Sequence, residues 1–194
     1  MARLLREKPY IRPDLLTMKL QMTRFLAILA TLFLISTFQH VALAQDGGDE
    51  VSKLNSVSGL PLPRFATLKS DNVYMRTGPS MDYPIRWIYK RDGLPVEIIQ
   101  EFDAWRRIKD PEGETGWVHK ILLSGKKTAM IKGKERVLAY ASDELVRPIA
   151  KLEPDFIVTL EKCDKRACFA TFPPYEGWIE KKSLWGVYAS EIFN

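Results

Sequence analysis

From Arg64 to the end of the chain, short alternating runs of apolar and polar residues are separated by closely spaced turn signals. The signals in the first half of this region are Asp71–Asn72, Thr77–Ser80, Arg91–Gly93 and Asp110–Gly113. Turns at this spacing leave room only for strands of about five residues, and no apolar stripe with the 3.6-residue period of a helix survives between them. The pattern therefore predicts an all-β fold.

The same region repeats itself after 61 residues. Three pairs of segments align without a gap at this shift: Gly116–Val118 with Gly177–Ile179, Ile108 with Phe169, and Val96–Ile99 with Ile157–Leu160. We therefore expect two tandem β-barrels of about 60 residues each, the first at residues 64–127 and the second at residues 128–194. Units of this size bury only about 60% of their unfolded surface. We expect the aromatic residues of one repeat and a disulfide in the other to compensate for this.

The first 44 residues differ from the rest of the chain. They hold six basic and two acidic residues, and an uncharged stretch of fourteen residues, Phe25–Phe38, follows the last basic one. Small side chains at Ala42 and Ala44 complete the pattern of a secretory signal peptide, which predicts cleavage between Ala44 and Gln45 and export to the periplasm. The alternative is a retained membrane anchor. We favour export, because polar residues interrupt the end of the uncharged region and a spanning helix needs about 20 predominantly apolar residues.

Residues 45–63 are polar and rich in glycine, serine and proline, which predicts a flexible linker. The formal net charge of the chain is +5, but the leader alone contributes +4. The remaining charge of +1 gives no support to a body that binds nucleic acid. The first repeat carries a net charge of +3 and the second a net charge of zero, which favours a mild preference for acidic ligands in the first repeat.

Cys163 and Cys168 are separated by four residues, a spacing that suits a β-hairpin. Residues that face each other across an antiparallel pair lie within reach of a disulfide, and an exported chain meets an oxidising environment. We expect a disulfide here, with two unpaired thiols as the alternative. We expect no metal site, because the sequence has no second cysteine pair to complete a zinc shell.

Several motifs, in order along the chain, resemble the bacterial SH3-like domain family. In the first repeat they are Asn72–Ser80, Tyr83–Ile85, Gly93–Val96, Trp105–Ile108 and Gly116–Val118. In the second repeat, Gly177–Ile179 followed by Leu184–Tyr188 is similar to the end of the exported tandem SH3-like proteins of Gram-negative bacteria. The resemblance implies two small, partly open β-barrels on a non-catalytic protein, with peptidoglycan or peptide segments as ligands. The second repeat lacks a counterpart of the Arg76–Ser80 loop, so the first is expected to carry the ligand face.

Alternation along the strands of the first repeat predicts which side chains form that face. The residues predicted to point to the core are Val73, Met75, Val96, Ile98, Ile108 and Val118. The residues predicted on the opposite side are Tyr74, Arg76, Trp105, Arg107, Trp117 and His119. Rigid aromatic surfaces stack on sugars or on extended peptides. We therefore predict a ligand-binding groove that contains Tyr74, Arg76, Tyr83, Trp87, Trp105 and Trp117.

These candidates also have structural interpretations. Trp117, within a Gly-Trp-Val motif, would close the core of the barrel. Gly78-Pro79 would form a turn, since glycine permits positive φ and proline fixes its own φ. Arg76 would then hydrogen-bond carbonyl groups of that loop. Both interpretations stay open at the level of sequence.

No catalytic motif is apparent in the sequence. General acid–base catalysis usually needs a histidine or paired carboxylates in a pocket, and after His40 in the leader the only histidine is His119. No glycine-rich phosphate loop or dinucleotide fingerprint occurs, so we expect no cofactor. We predict a non-enzymatic module that contacts peptidoglycan or other envelope components through the first barrel and touches the membrane only through an uncleaved leader. The alternative is an interaction module that recognises a peptide segment of an envelope protein.

Overall fold

The computed structural model describes residues 6–8 and 57–194. These residues form two antiparallel sheets without an α-helix, which confirms the predicted all-β fold. Apart from residues 6–8, the predicted leader lies outside the described residues, as do its predicted cleavage position at Ala44 and Gln45 and residues 45–56 of the linker. Within the part of the chain that is described, no helix has the length and apolar character needed to span a membrane.

Apart from the additional strand β1 in the first sheet, the two sheets have the same topology. The first consists of β1 (Arg6–Glu7), β2 (Arg64–Leu68), β3 (Val73–Arg76), β4 (Ile85–Tyr89), β5 (Pro95–Phe102), β6 (Trp105–Lys109), β7 (Thr115–His119) and β8 (Leu123–Ser124), in the order β1-β4-β3-β7-β6-β5-β2-β8. The second consists of β9 (Thr128–Ile131), β10 (Val137–Tyr140), β11 (Pro148–Leu152), β12 (Ile157–Cys163), β13 (Ala167–Phe172), β14 (Tyr175–Glu180) and β15 (Leu184–Trp185), in the order β11-β10-β14-β13-β12-β9-β15. Each sheet is a partly open barrel.

The core of the first barrel follows the predicted alternation. The six side chains predicted to point inward are all buried in one cluster: Val73, Met75, Val96, Ile98, Ile108 and Val118. Burial of each such side chain stabilises the fold by roughly 1.5–3 kcal/mol relative to exposure. The strands that carry these residues therefore have one face occupied by the core and the other available for a site.

A glycine in each repeat permits close contact between neighbouring strands. A Cβ atom on Gly116 would lie 2.8 Å from the carbonyl oxygen of Arg76 on β3. A Cβ atom on Gly177 would lie 2.7 Å from the carbonyl oxygen of Tyr140 on β10. The tryptophan that follows each glycine is paired with that same residue of the neighbouring strand. Only a residue without Cβ fits here, which explains why glycine precedes tryptophan in both repeats.

The strand pairing corrects the ungapped alignment of the repeats. Ile108 is paired with Gly116 in the first barrel, whereas Ala170 is paired with Gly177 in the second. The counterpart of Ile108 is therefore Ala170, at a shift of 62 residues, and not Phe169. The shift returns to 61 residues at β7 and β14, because Ala170 and Gly177 are one residue closer in sequence than Ile108 and Gly116. The single shift of 61 was wrong across the β5–β6 and β12–β13 hairpins.

With the corrected alignment, a buried ion pair and a disulfide occupy the same position in the two barrels. Glu101 is paired with Arg106 across β5 and β6, and Cys163 is paired with Cys168 across β12 and β13. The Glu101 Oε1 atom lies 3.1 Å from Arg106 Nε, while the two cysteines are joined by a disulfide bond. Each barrel thus has one cross-link at the turn end of the equivalent hairpin, of a different chemical kind.

Glu101 also ties the segment before β2 to this hairpin. Its carboxylate accepts hydrogen bonds from Arg64 Nη2 at 2.5 Å, from the backbone N–H of Ser58 at 2.7 Å and from the Ser58 hydroxyl at 2.8 Å. Burial alone would raise the pKa of Glu101, but the hydrogen bonds from Arg64 and Ser58 outweigh it and lower the pKa to about 2. The folded protein therefore favours the ionised carboxylate.

The two barrels meet at a junction built from both sheets. The hydroxyl oxygens of Thr67 and Thr128 lie 2.7 Å apart, and the Thr128 hydroxyl donates to the carbonyl oxygen of Gly93 at 2.9 Å. Both threonines are buried. Met130, which belongs to β9 of the second sheet, packs in the core cluster of the first barrel. The junction therefore joins polar pairing with a shared apolar core.

Aromatic rings extend the junction. The Phe65 ring lies 5.0 Å from the Trp185 ring and 4.6 Å from the Tyr188 ring, measured between centroids. The Tyr188 hydroxyl donates to Glu97 Oε1 at 2.9 Å. Burial, reinforced by this contact with Glu97, raises the pKa of the Tyr188 phenol, so the hydroxyl stays protonated as the donor. Both barrels belong to one compact unit.

We predict that the Glu101 cluster makes stability depend on acid pH. A carboxylate whose folded pKa is lowered stabilises the protein above its unfolded pKa, near 4.5, and loses this contribution as the pH falls towards 2. Glu101→Gln leaves buried guanidinium groups without their anion and should lower the free energy of unfolding by ~3 kcal/mol at pH 7. The difference from wild type should shrink below pH 4 in denaturant titrations. Glu176→Gln, at an exposed position, serves as control, and a difference that is constant from pH 7 to pH 2 contradicts the assignment.

Gly186 tests the junction. It has φ of +121°, and a Cβ atom there would lie 2.5 Å from the Thr128 carbonyl oxygen and 3.1 Å from Pro95 Cβ. Gly186→Ala should lower the free energy of unfolding by about 2 kcal/mol or more, measured by chemical denaturation, because it combines backbone strain with clashes against β9 of the second barrel and against Pro95 of the first. Gly125→Ala, where no atom lies within 4 Å, should change stability by less than about 0.5 kcal/mol. Equal effects of the two substitutions would rule out a close junction.

Candidate functional site

The outer face of β3, β7 and β6 carries the predicted aromatic and basic side chains. Strand pairing places Trp105 opposite His119, with the two rings perpendicular and 5.4 Å apart between centroids. Trp117 is paired with Arg76 on one side and with Arg107 on the other. Trp117 and His119, two successive outward-facing residues of β7, thus have different environments. Trp117 lies between two arginines, and His119 lies opposite an aromatic ring.

An apolar groove of about 320 Å³ opens on this face. Strands β3, β6 and β7 contribute to it, together with the loop between β3 and β4 and the 3-10 turn that follows β7. No carboxylate lines it. The lining residues are Tyr74, Arg76, Met81, Trp105, His119, Ile121 and Leu122. A concave, mostly apolar surface with few polar groups is the usual form of a small ligand site.

Trp105 forms a wall of the groove and is not freely exposed. Only 8% of its surface is accessible, although its position on β6 directs it away from the core. The accessible contact area comes mainly from three neighbours: Tyr74 is 39% exposed, Ile121 is 65% exposed and Met81 is 70% exposed. A ligand would touch these side chains first, with the indole of Trp105 behind them.

Arg76 holds the loop that forms one side of the groove. Its Nη1 atom donates to the carbonyl oxygens of Met81 at 2.9 Å and Tyr83 at 2.8 Å. The Tyr83 ring packs directly on Gly78, where a Cβ atom would lie 2.4 Å from the ring. The loop therefore closes on itself, and the loop-stabilising interpretation of Arg76 and Gly78 describes these contacts. Arg76 also lines the groove, so positioning and contact are combined in one side chain.

The groove does not include every predicted residue. Tyr83 remains 46% exposed but is engaged with the loop. Trp87 packs against the core of the first barrel, and its indole N–H donates to Glu114 Oε2 at 3.3 Å. Trp117 is half-buried on the outer face, and it is absent from the core cluster. Of the six predicted groove residues, Tyr74, Arg76 and Trp105 line one cavity, whereas Tyr83, Trp87 and Trp117 lie beside it.

Sequence reasoning missed the three aliphatic side chains of the groove. Met81, Ile121 and Leu122 lie in a loop and a 3-10 turn, where alternation gives no information about direction. The turn begins where the backbone N–H of Ile121 donates to Nδ1 of His119 at 3.4 Å. The one available signal was an isoleucine and a leucine directly after a strand, in a segment otherwise rich in lysine and glycine.

The groove contains three polar side chains. Its polar side chains are one phenol, one guanidinium and one imidazole, and Nδ1 of that imidazole already accepts a backbone hydrogen bond. Across residues 6–8 and 57–194, no group of three histidine, cysteine or acidic side chains is placed to hold a metal ion. The arrangement suits contact with a ligand through apolar and aromatic surface.

This geometry is that of a small, partly open β-barrel with an apolar groove on its outer face, and one segment of the chain matches a family of known proteins. Residues 69–125 match the family described as bacterial SH3 domain. The matched segment begins directly after β2, ends directly after β8 and contains every residue that lines the groove. This part of the chain is therefore a bacterial SH3 domain, as its sequence motifs indicated. The search of curated proteins gave no match to the chain.

Two solved structures are similar to parts of the chain. NlpC2 from Trichomonas vaginalis is 15% identical, with 63% of this chain and 48% of that chain covered and a TM-score of 0.28. NlpC1 from Trichomonas vaginalis is 14% identical, with 67% of this chain and 48% of that chain covered and a TM-score of 0.30. The match thus spans about half the length of each of these proteins. Similarity at this level does not indicate a shared function.

We predict that Arg76 maintains the shape of the groove. Arg76→Ala removes both hydrogen bonds to the loop and should increase amide exchange of residues 77–84 by on the order of tenfold, since each lost bond costs roughly 0.5–1.5 kcal/mol. Hydrogen-exchange mass spectrometry measures this directly. Arg107→Ala removes an exposed arginine from the same face and should leave exchange in the loop unchanged. Faster exchange in both variants, or in neither, contradicts the positioning role.

Proposed function

We propose that the chain is a non-catalytic binding protein that holds peptidoglycan in the groove of its first barrel. The observation that carries this proposal is the apolar groove of about 320 Å³ on a bacterial SH3 domain, with Tyr74, Met81 and Ile121 exposed at its opening. Aromatic and aliphatic surfaces of this kind pack against the apolar faces of sugar rings. The groove therefore provides shape and contact, and its residues provide no acid–base pair.

Charge around the groove supports an acidic ligand. Arg107 is exposed on the same outer face and makes no ion pair with any residue of the described ranges. Arg76 adds a second guanidinium, which bonds to backbone carbonyls and not to a carboxylate. The first repeat as a whole carries a net charge of +3. Glycan strands with short peptides bearing carboxylates combine the two features that this face accommodates.

Export to the periplasm is part of the same proposal, and its support comes from the sequence. The leader has the three-part pattern of a signal peptide that ends at Ala44. The disulfide between Cys163 and Cys168 is consistent with an oxidising compartment. Cleavage would also remove β1 and with it Lys8, whose ammonium lies 5.4 Å from the Trp87 ring, and would make β4 the edge of the first sheet.

A peptide segment of an envelope protein is the second candidate ligand. The mostly apolar surface of the groove favours it, because apolar grooves with aromatic walls also hold extended, proline-rich segments. The two candidates differ in a measurable way. Peptidoglycan is an insoluble polymer that can be sedimented, whereas a peptide ligand is part of a soluble or membrane-bound protein.

The test is sedimentation of the purified chain with isolated sacculi. We expect wild type to sediment, and Tyr74→Ala to reduce the bound fraction on the order of tenfold, because exposed aromatic side chains dominate contact energy. Tyr175→Ala, an exposed tyrosine on the second barrel, is the matched control and should bind as wild type does. Both positions are exposed, so far-UV circular dichroism should show native folding in each variant.

A photo-crosslinking residue in place of Ile121 distinguishes the second candidate. Absence of wild-type sedimentation, together with a discrete protein crosslinked from the envelope fraction, would replace peptidoglycan by a peptide ligand. Equal sedimentation of wild type and Tyr74→Ala would show that the groove is not the binding surface.

A further inference from the structure

The second barrel has a cleft of its own, with a different chemistry. It has a volume of about 340 Å³ and lies among the loop after β9, the turn between β12 and β13, and the 3-10 turn after β14. Half of its ten lining side chains are cationic. The lining residues are Lys132, Leu145, Lys165, Arg166, Glu180, Lys181, Lys182, Leu184, Val187 and Ala189.

This cleft occupies the position that the groove has in the first barrel. Glu180 is the counterpart of His119, since each lies two residues after the paired tryptophan of its strand. Lys182 and Ile121 are the middle residues of the equivalent 3-10 turns. Leu145 follows Tyr140 by five residues, as Met81 follows Arg76. The two barrels therefore present equivalent clefts, one apolar and one charged.

The side chain that fills the first groove is missing from the second cleft. Trp105 is paired with His119, and the residue paired with Glu180 is Ala167. Ala167 is fully buried and does not line the cleft, so this position provides no aromatic wall. Lys165 and Arg166, from the turn directly before Ala167, line the space instead. The cleft thus exchanges an aromatic wall for two cations.

Charge is concentrated in this cleft although the second repeat is neutral overall. Five of the ten basic residues of the repeat line it, but only one of its ten acidic residues does. That residue, Glu180, is paired with Lys182 at 2.7 Å. Asp164 lies at the adjoining turn, where its carboxylate accepts the backbone N–H groups of Arg166 and Ala167 and offsets part of the charge. The lining side chains retain a clear excess of positive charge.

Lys181 adds a fixed charge beneath the others. It is 5% exposed, and its ammonium donates to the backbone carbonyl oxygens of Asp164, Ala189 and Glu191. These acceptors satisfy its hydrogen bonds without a direct carboxylate partner. The charge of a buried ammonium is less screened than that of an exposed one. Lys181 therefore raises the positive potential of the cleft. Lys132, Lys165 and Lys182 are exposed, and the Lys182 ammonium is paired with Glu180.

We infer that this cleft binds a ligand that bears a phosphate group. Cations converge on it from three separate segments, and a phosphate has several oxygens that accept hydrogen bonds from donors in different directions. Arg166 supplies a planar guanidinium, which matches phosphate geometry, and the lysines act as point charges. A single carboxylate uses fewer of these donors. The site is distinct from the groove of the first barrel and does not depend on the function proposed for that groove.

The first test is isothermal titration calorimetry of the purified chain with inorganic pyrophosphate at 0.15 M salt. We expect saturable binding of one pyrophosphate per chain. The triple variant Lys132→Ala, Lys165→Ala and Lys182→Ala should weaken binding at least tenfold. The control Lys69→Ala, Lys120→Ala and Lys126→Ala removes three exposed lysines elsewhere and should stay within twofold of wild type. All six positions are exposed, so both variants should fold.

A second arm separates the possible sources of the phosphate. Vesicles of phosphatidylglycerol and of phosphatidylcholine are sedimented with the chain, with pyrophosphate as competitor. Binding to phosphatidylglycerol that pyrophosphate displaces assigns the site to a lipid headgroup, and pyrophosphate binding without vesicle binding assigns it to a soluble phosphate ester. The inference is overturned if neither probe binds, if citrate binds as tightly as pyrophosphate, or if both triple variants lose binding equally. Tyr74→Ala should leave pyrophosphate binding unchanged, so this site and the groove can fail separately.

Discussion

The close approach of β7 to β3 at Gly116 is the constraint on which the first barrel and its groove depend. Without a Cβ atom at this position, the two backbones pair, and Trp117 comes to lie opposite Arg76. This pairing directs Met75 and Val118 into the core. It directs Tyr74 and His119 to the opposite side, where the groove forms. Gly177 has the same role in the second barrel, so core and cleft arise in both repeats from one backbone contact.

The two repeats show how one architecture tolerates different solutions for stability and for surface chemistry. The same hairpin position is held by the Glu101–Arg106 ion pair in one barrel and by the Cys163–Cys168 disulfide in the other. A buried ion pair stabilises the fold only while both partners are charged and in contact. A disulfide that closes a short loop restricts the unfolded chain, which stabilises the folded state by roughly 2 kcal/mol. Fold topology therefore does not depend on either device, and each repeat could change its cross-link and its cleft separately.

Much of the fold followed from the sequence, because alternation with period two and frequent turns are direct consequences of short half-buried strands. The inward positions of β3, β5, β6 and β7 were predicted residue by residue. Alternation also placed Tyr74, Arg76 and Trp105 on the correct side. It could not show that Trp87 packs on the core, because the pairing of Trp87 with the inward-facing Met75 is followed by a register shift between β3 and β4. Nor could it show that Met81 and Ile121 complete the groove, because those segments depend on hydrogen bonds that Arg76 donates and His119 accepts. Charge counted along the sequence likewise hid the basic cleft of the second barrel, since opposite charges cancel in a sum but separate in space.

The junction between the barrels has a consequence for any ligand large enough to reach both clefts. The two sheets are joined by contacts of Thr67, Thr128, Met130 and the aromatic rings around Phe65. The distance between the clefts is therefore set by packed structure and not by a flexible linker. A second contact made by an already bound molecule is then intramolecular, with an effective concentration that depends on whether the spacing of its own groups matches that distance. A polymer would then bind both clefts most tightly when the distance between its apolar and anionic groups matches the distance between the clefts.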